Sequence, residues 1–201
     1  MYTFIHPTKS GGTALEEYFA KHYSNFIKGI KHTNLCLPGN NPIIVVREPI
    51  DRFISMYKYW KNGSIDFKVH KRSTEFVKKY NNYTVKDFIT LLKRNSTKDL
   101  LVTFTEKEHF LQTKHWINNT PYHKIIIIKY IKNLDIKMPY ILKSLGIPDK
   151  KIQLPLTNIT SSKEDIILDD DDLEFIKRRF KDDFELYNDV NNKKELFRMV
   201  I

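Results

Sequence analysis

A loop that contains two glycines and a lysine follows the first apolar run of the chain, and its composition is typical of an anion-binding site. The loop spans residues 6–13, HPTKSGGT, and a run with helical spacing of apolar residues follows it. Gly11 and Gly12 can adopt positive φ, which allows several backbone N–H groups to point at one spot. The N-terminus of the following helix adds unpaired N–H groups, and Lys9 adds a full positive charge. The sequence therefore predicts a phosphate-binding loop.

The order of residues in this loop excludes two common classes of nucleotide-binding protein. The lysine of an ATPase P-loop follows the glycines, whereas Lys9 precedes Gly11 and Gly12. The chain also lacks the Gly-x-Gly-x-x-Gly fingerprint of dinucleotide-binding folds. The loop therefore indicates phosphate binding of another kind.

A second stretch with phosphate-binding chemistry begins where another apolar run ends. Residues 41–46, NPIIVV, form a β-branched run without alternation, which is typical of a strand covered on both faces. Arg47 follows at the carboxyl end of this strand, where ligands of open α/β sheets bind. Residues 49–57 then have helical spacing, and this spacing places Asp51, Arg52 and Ser55 together on one face. The pattern therefore predicts that Arg47 lies where a ligand would bind.

Together these two stretches resemble the sulfotransferases that use 3′-phosphoadenosine 5′-phosphosulfate (PAPS). The first loop resembles their 5′-phosphosulfate loop, Pro-Lys-[Thr/Ser]-Gly-Gly-Thr, with Thr8 inserted after the proline and Ser10 in place of the usual threonine. Residues 46–57, VREPIDRFISMY, resemble their 3′-phosphate motif, and the eight-residue spacing from Arg47 to Ser55 also matches.

The resemblance implies an α/β fold with a central parallel β-sheet flanked by helices, similar to P-loop NTPases, in a single domain over residues 1–201. It implies PAPS as donor, with no metal, and Lys9 at the leaving oxygen. The expected donor-binding residues are Lys9, Ser10, Gly11, Gly12, Thr13, Ala14, Arg47 and Ser55.

Sulfuryl transfer to a hydroxyl calls for a general base, and the resemblance leaves several candidates for this role. His32 is the first choice, because family members with a histidine base carry it between the first helix and the 3′-phosphate strand. His6, which flanks the loop, is the second. Some relatives use a glutamate instead, for which Glu16 or Glu17 could serve, although exposure on the first helix is the plainer interpretation of both.

The length, hydrophobic fraction and net charge limit the class of protein and the partners that we expect. A chain of 201 residues with 41% hydrophobic residues is large enough for one full core. The net charge of +10 favours anionic partners, and the resemblance implies a carbohydrate or another hydroxyl acceptor. Basic residues within 58–79 would favour an anionic acceptor, and an ordinary solvated face is the alternative.

A non-catalytic module that binds nucleotide, nucleic acid or glycan is the alternative function. No RNA-recognition, zinc-finger or helix-turn-helix pattern occurs, so we do not expect a nucleic-acid partner. No apolar stretch approaches the roughly 20 residues of a membrane span, and Cys36 is the single cysteine. From these two features we expect a cytoplasmic protein without a membrane anchor.

The remaining patterns predict further elements. Thr84 suits the N-cap of a helix over 85–94, and four acids at 169–172 suit a helix start better than a metal site. Residues 130–134 resemble the family's Tyr-Glu-Asn-Leu after its third strand. Other expected elements are a helix at 106–117, a strand at 124–130, a helix at 138–145 closed by Gly146, a donor-covering loop at 154–163 and one helical stripe over 173–187.

Overall fold

The structure is a computed structural model that describes residues 1–29, 40–63, 77–94, 111–117, 125–130, 134–154 and 164–192. Several predictions fall outside these ranges. Among them are the proposed base His32, most of the loop at 154–163 and three of the seven lysines and arginines within 58–79.

Four parallel strands form the sheet. They are β1 (Tyr2–Ile5), β2 (Ile27–Gly29), β3 (Asn41–Val46) and β4 (Ile126–Lys129), in the order β2-β1-β3-β4. All three pairings are parallel, which confirms the predicted α/β class. The pattern of apolar residues did not indicate β2, because three residues are too few to show a period.

The strand order places a topological switch point between β1 and β3. From β1 the chain first adds β2 on one side and then β3 on the other. Ligands of open α/β sheets bind at such a point, outside the carboxyl ends of the strands. The loop at 6–11 leaves the carboxyl end of β1, and Arg47 follows the carboxyl end of β3. Both predicted phosphate-binding stretches therefore leave the sheet at this edge.

Seven helices have both ends within the described residues. They are α1 (Gly12–His22), α2 (Pro49–Asn62), α3 (Val85–Arg94), α4 (Thr113–Trp116), α5 (Leu134–Ser144), α6 (Asp170–Arg179) and α7 (Lys181–Asn192).

Side-chain caps begin two of these helices where the sequence predicted them. Thr84 Oγ1 accepts a hydrogen bond from the Asp87 N–H at 3.1 Å, and Asp87 Oδ2 accepts one from the Thr84 N–H at 2.9 Å. Asp169 caps α6 by accepting from the Asp172 N–H at 2.9 Å. The acidic run therefore starts a helix, as predicted.

Three helix predictions were wrong in their bounds. Of the helix expected over 106–117, the described residues form only α4 (Thr113–Trp116), and residues 111 and 112 are not helical. α5 begins at Leu134 rather than at residue 138, and it therefore carries Pro139 in its interior instead of its first turn. The stripe expected over 173–187 is divided at Phe180, which has non-helical φ −112° and ψ 31°. Phe180 is buried, and its ring lies 6.4 Å from that of Phe53, so core packing holds it where the helix breaks.

The chain divides into two compact units. One comprises Met1–Glu48, Gln112–Leu156 and Asp182–Ile201, and the other comprises Pro49–Leu111 and Thr157–Lys181. The assignment of all 201 residues to one domain stays a prediction. None of the helices in the described ranges has the length and the hydropathy that crossing a bilayer requires.

Each unit has its own buried core. In the first, α1 and α5 pack side chains such as Phe19 and Ile141 against Phe4 and Val45 of the sheet. In the second, aromatic rings dominate. The Trp60 ring lies 4.6 Å from that of Tyr80 and 5.5 Å from that of Phe88. The sheet unit holds the loop that the sequence predicts to bind phosphate.

Candidate active site

The loop after β1 is a tight turn that leads directly into α1. The N–H of Ser10 donates to the Pro7 carbonyl at 3.3 Å, and the Ser10 hydroxyl donates to the same carbonyl at 2.5 Å. Lys9 and Gly11 both have positive φ, at 60° and 80°. Left-handed residues of this kind aim successive N–H groups into a concavity, and the N-terminus of α1 adds its own.

Both glycines of the loop are required by close approach of neighbouring side chains. A Cβ atom on Gly12 would lie 2.0 Å from the Cβ of His6. A Cβ on Gly11 would lie 2.2 Å from Cε2 of Tyr130. No side chain fits at either position without displacing these neighbours, so the loop backbone lies directly against them.

A buried histidine–glutamate pair lies beneath the loop. Nε2 of His6 lies 3.0 Å from Oε2 of Glu16, and these side chains are 2% and 8% exposed. The His6 ring is stacked on Phe4 with an interplanar angle of 17°. Glu16 packs against Gly29 at the end of β2, where a Cβ would lie 2.7 Å from Glu16 Cγ.

This pair changes the interpretation of both residues. Exposure was the plainer expectation for Glu16, and it is wrong, because the helix turns this carboxylate toward the end of β2 and His6. Each side chain is enclosed and bound to the other. The geometry therefore favours a structural role for His6 and Glu16 over direct contact with an acceptor.

Lys9 and Arg47 bring two positive charges close together at the carboxyl edge of the sheet. The pKa of Lys9 is lowered to about 7, first by burial of its ammonium group and second by the positive charge of Arg47. The buried Nε of Arg47 has no hydrogen-bond partner among the described residues. Two neighbouring cations and an unsatisfied buried donor form an environment that an anion would stabilise.

Tyr130, at the end of β4, completes this edge. Its N–H donates to the carbonyl of Val46 at 2.6 Å, which extends the β3–β4 pairing by one bond. Its ring contacts Gly11, and the guanidinium carbon of Arg47 lies 5.4 Å from the ring centroid. The sequence linked Tyr130 to a family pattern without assigning it a role. Its position after a buried strand was the signal that could have placed it here.

The other predicted site residues lie on α1 and α2. Thr13 and Ala14 lie partly buried in the first turn of α1. Ser55 lies on α2, in the second unit, and is partly buried. Arg52 was expected on the same helix face as Asp51 and Ser55, apart from the core-facing stripe. Instead it is buried, and its Nη2 donates to the Leu111 carbonyl at 2.8 Å. Arg52 therefore has a structural contact within its own unit.

The family model described as "Sulfotransferase family" matches residues 8–188. The chain belongs to the sulfotransferase family. The matched residues include both stretches that the sequence predicts to bind phosphate, from Lys9 to Ala14 and from Arg47 to Ser55. No curated protein matches this sulfotransferase.

Membership of the sulfotransferase family relates the geometry of this sheet edge to sulfuryl transfer. Members of the family transfer sulfuryl groups, in general from PAPS. Such a donor is rich in anionic oxygens, and the fixed N–H groups of the loop and the charges of Lys9 and Arg47 suit these oxygens. Across the described residues, no group of three or more histidine, cysteine or acidic side chains is arranged to hold a metal ion.

Proposed function

We propose that this sulfotransferase moves the sulfuryl group of PAPS to a hydroxyl of a carbohydrate. The observation that carries the donor assignment is that the loop with Lys9 and the strand end with Arg47 meet at the carboxyl edge of the sheet, at its switch point. Two cations placed so closely disfavour each other's charge, and a polyanionic ligand reverses this penalty.

We infer that the two stretches divide the donor between them. The backbone of residues 9–14 and the hydroxyl of Thr13 would hold the 5′-phosphate, whereas the Ser10 hydroxyl already donates to the Pro7 carbonyl. The resemblance assigns the 3′-phosphate to Arg47 and Ser55, and the Arg47 guanidinium offers it two parallel donors. This contact would select PAPS against nucleotides that lack the 3′-phosphate.

Lys9 would act on the chemical step itself. When bound, PAPS supplies an activated sulfuryl group whose transfer leaves charge on the bridging oxygen of the 5′-phosphate. Lys9 and the N–H groups at the start of α1 would stabilise that charge more in the transition state than in the ground state. Lys9, which has a positive φ, lies in the turn that leads into α1.

A base must take the proton of the acceptor hydroxyl as the new sulfur–oxygen bond forms. His32 remains our proposed base. The pairing of His6 with Glu16 supports this choice, because these two alternative bases are buried and hydrogen-bonded to each other. Glu17, partly buried on α1, is the remaining carboxylate candidate.

We propose that the acceptor is a glycan, and the charge of the chain favours an acidic one. The net charge of +10 would attract uronic-acid or sulfated sugars. Lys78 and Lys79, from the basic stretch, are exposed. An acceptor preference based on this charge would weaken as salt is raised.

Transfer of radiolabelled sulfate from PAPS to a panel of neutral, uronic-acid and sulfated oligosaccharides tests this function. Lys9→Ala should lower turnover by about 10²- to 10³-fold, which is typical for removal of a donor to developing charge. Arg47→Ala should mainly raise the KM for PAPS. Lys21→Ala, at an exposed position in the last turn of α1, is the matched control and should retain full activity. Full activity in both Lys9→Ala and Arg47→Ala would overturn these roles.

A further inference from the structure

The ring of Tyr130 joins the two halves of the proposed donor site within the sheet unit. One edge of the ring lies against the α-carbon of Gly11, close enough that a Cβ there would meet Cδ2 at 2.4 Å. The guanidinium carbon of Arg47 lies 5.4 Å from the ring centroid. A guanidinium within about 6 Å of an aromatic ring is attracted by the electrons of its face.

The contacts of Arg47 show why this ring matters. The buried Nε of Arg47 has no hydrogen-bond partner in the described part of the chain. We therefore infer that the contact with the Tyr130 ring orients the Arg47 guanidinium. Arg47 also lowers the pKa of Lys9, so its position affects the electrostatics of the loop.

The backbone of Tyr130 fixes where the ring lies. Its N–H donates to the Val46 carbonyl at 2.6 Å, and Val46 directly precedes Arg47. The ring and the guanidinium therefore start from adjacent, hydrogen-bonded strand ends. The Tyr130 residue is 37% exposed, so its ring is not part of the hydrophobic core, and its removal leaves no sealed cavity.

We propose that Tyr130 is a positioning residue for donor specificity, whose ring holds the Arg47 guanidinium at a fixed distance from the loop that begins α1. This inference rests on the proposed function, because it takes Arg47 as the residue that recognises the 3′-phosphate. It assigns to the ring, and not to the hydroxyl, the preference for a nucleotide with phosphates at both the 3′ and 5′ positions.

The test compares the affinity of each variant for adenosine 3′,5′-bisphosphate with its affinity for adenosine 5′-monophosphate by calorimetric titration. Tyr130→Phe keeps the ring and should retain the wild-type ratio of the two dissociation constants. Tyr130→Leu should lower this preference by roughly 3- to 30-fold, mostly through weaker binding of the bisphosphate. Tyr140→Leu, at an exposed tyrosine of α5, is the matched control and should leave the ratio unchanged.

A double-mutant cycle adds a readout that a purely structural role would not move. Arg47→Lys should lower the preference strongly in the wild-type background and much less in the Tyr130→Leu background, because the two residues act together. Thermal unfolding of each variant checks folding. Tyr130→Met, which removes the ring but keeps a long side chain, replaces Tyr130→Leu if that variant does not fold.

The outcomes separate the failure of this inference from the failure of the proposed function. A wild-type protein that binds both nucleotides equally overturns the proposed function and, with it, this inference. A wild-type preference that survives intact in Tyr130→Leu overturns the inference alone. Equal weakening of both nucleotides in Tyr130→Leu also overturns it, because it would show that the ring supports the loop without acting through Arg47.

Discussion

At the scale of single residues, the edge of the sheet is defined by Lys9 in the loop after β1, Arg47 after β3 and the Tyr130 ring against Gly11. Lys9, Gly11 and Arg47 were predicted because their spacing from strand ends is visible in the chain. The contact of Tyr130 with Gly11 was not predictable, since it joins residues 119 positions apart. A glutamate on a helix usually faces water, so the burial of Glu16 depends on what neighbours it in three dimensions.

The lowered pKa of Lys9 predicts how nucleotide binding depends on pH. As pH rises from about 7 to about 9, Lys9 in the unliganded protein loses its proton, while the phosphates of the ligand stay fully ionised. The dissociation constant for adenosine 3′,5′-bisphosphate should therefore increase with pH over this range, with net proton uptake on binding. Calorimetry in buffers of different ionisation enthalpy measures both quantities.

Lys9→Arg provides the control for this pH dependence, because a guanidinium stays charged throughout the range. Binding to this variant should be nearly independent of pH between about 7 and about 9. A wild-type dissociation constant that stays constant or falls with rising pH would contradict the assignment of Lys9 to the phosphate site.

The lowered pKa of Lys9 also predicts that this residue destabilises the unliganded protein. Its folded-state pKa of about 7 lies below its ordinary value of 10.5, so the unfolded chain binds more protons between these limits. The free energy of unfolding should then rise with pH from about 7 to about 10. Lys9→Met should stabilise the unliganded protein by about 1–2 kcal/mol near pH 7, as seen when functional strain is removed. Thermal or urea unfolding measures this gain, and a destabilised Lys9→Met would oppose it.

At the scale of elements, predictions held where a pattern was long or a cap was explicit. β1, β3 and α3 follow from apolar runs and from the Thr84 cap. β2 is too short to show a period, and the break at Phe180 results from packing that the sequence does not display. Local chemistry thus determined where helices start, and tertiary contacts determined where several of them end.

The first turn of α1 should not tolerate a side chain at Gly12. Alanine is favoured over glycine inside a helix by about 1 kcal/mol, so propensity alone predicts stabilisation. The Cβ would instead meet His6 at 2.0 Å, and overpacking of this kind typically costs about 1–3 kcal/mol. Gly12→Ala should therefore lower both the unfolding midpoint and the affinity for adenosine 3′,5′-bisphosphate.

Gly146→Ala is the matched control for this substitution. A Cβ at Gly146 meets nothing within 4 Å, although its φ of +68° is unfavourable for alanine by about 1–2 kcal/mol. Nucleotide affinity should stay at the wild-type level in this variant. A Gly12→Ala protein that binds the bisphosphate normally would show that the first turn of α1 does not contact the ligand.

The cap of α3 should contribute to stability without contributing to activity. Thr84→Ala removes the hydroxyl that accepts from the Asp87 N–H and should lower the free energy of unfolding by about 1 kcal/mol. Thr84→Ser keeps an accepting hydroxyl and should recover most of this loss in urea denaturation. If Thr84→Ala unfolds at the wild-type urea concentration, the cap does not stabilise the helix in solution.

At the scale of the whole molecule, the order of strands brings the phosphate-binding loop and Arg47 to one edge of the sheet. The resemblance to sulfotransferases implied this α/β arrangement, and the family match over residues 8–188 agrees with it. The division into two compact units was not predicted, because no shift of composition marks a boundary. The loop and Arg47 lie in the sheet unit, while Ser55 and most of the basic stretch belong to the other.

The central claim is that Lys9 stabilises charge on the leaving oxygen during sulfuryl transfer. The most direct measurement is the single-turnover rate of label transfer from saturating PAPS to an oligosaccharide acceptor, because saturation removes any effect on donor binding. We expect Lys9→Ala to lower this rate by about 100-fold or more while it still binds adenosine 3′,5′-bisphosphate. A Lys9→Ala protein that transfers the label at the wild-type rate would contradict the account.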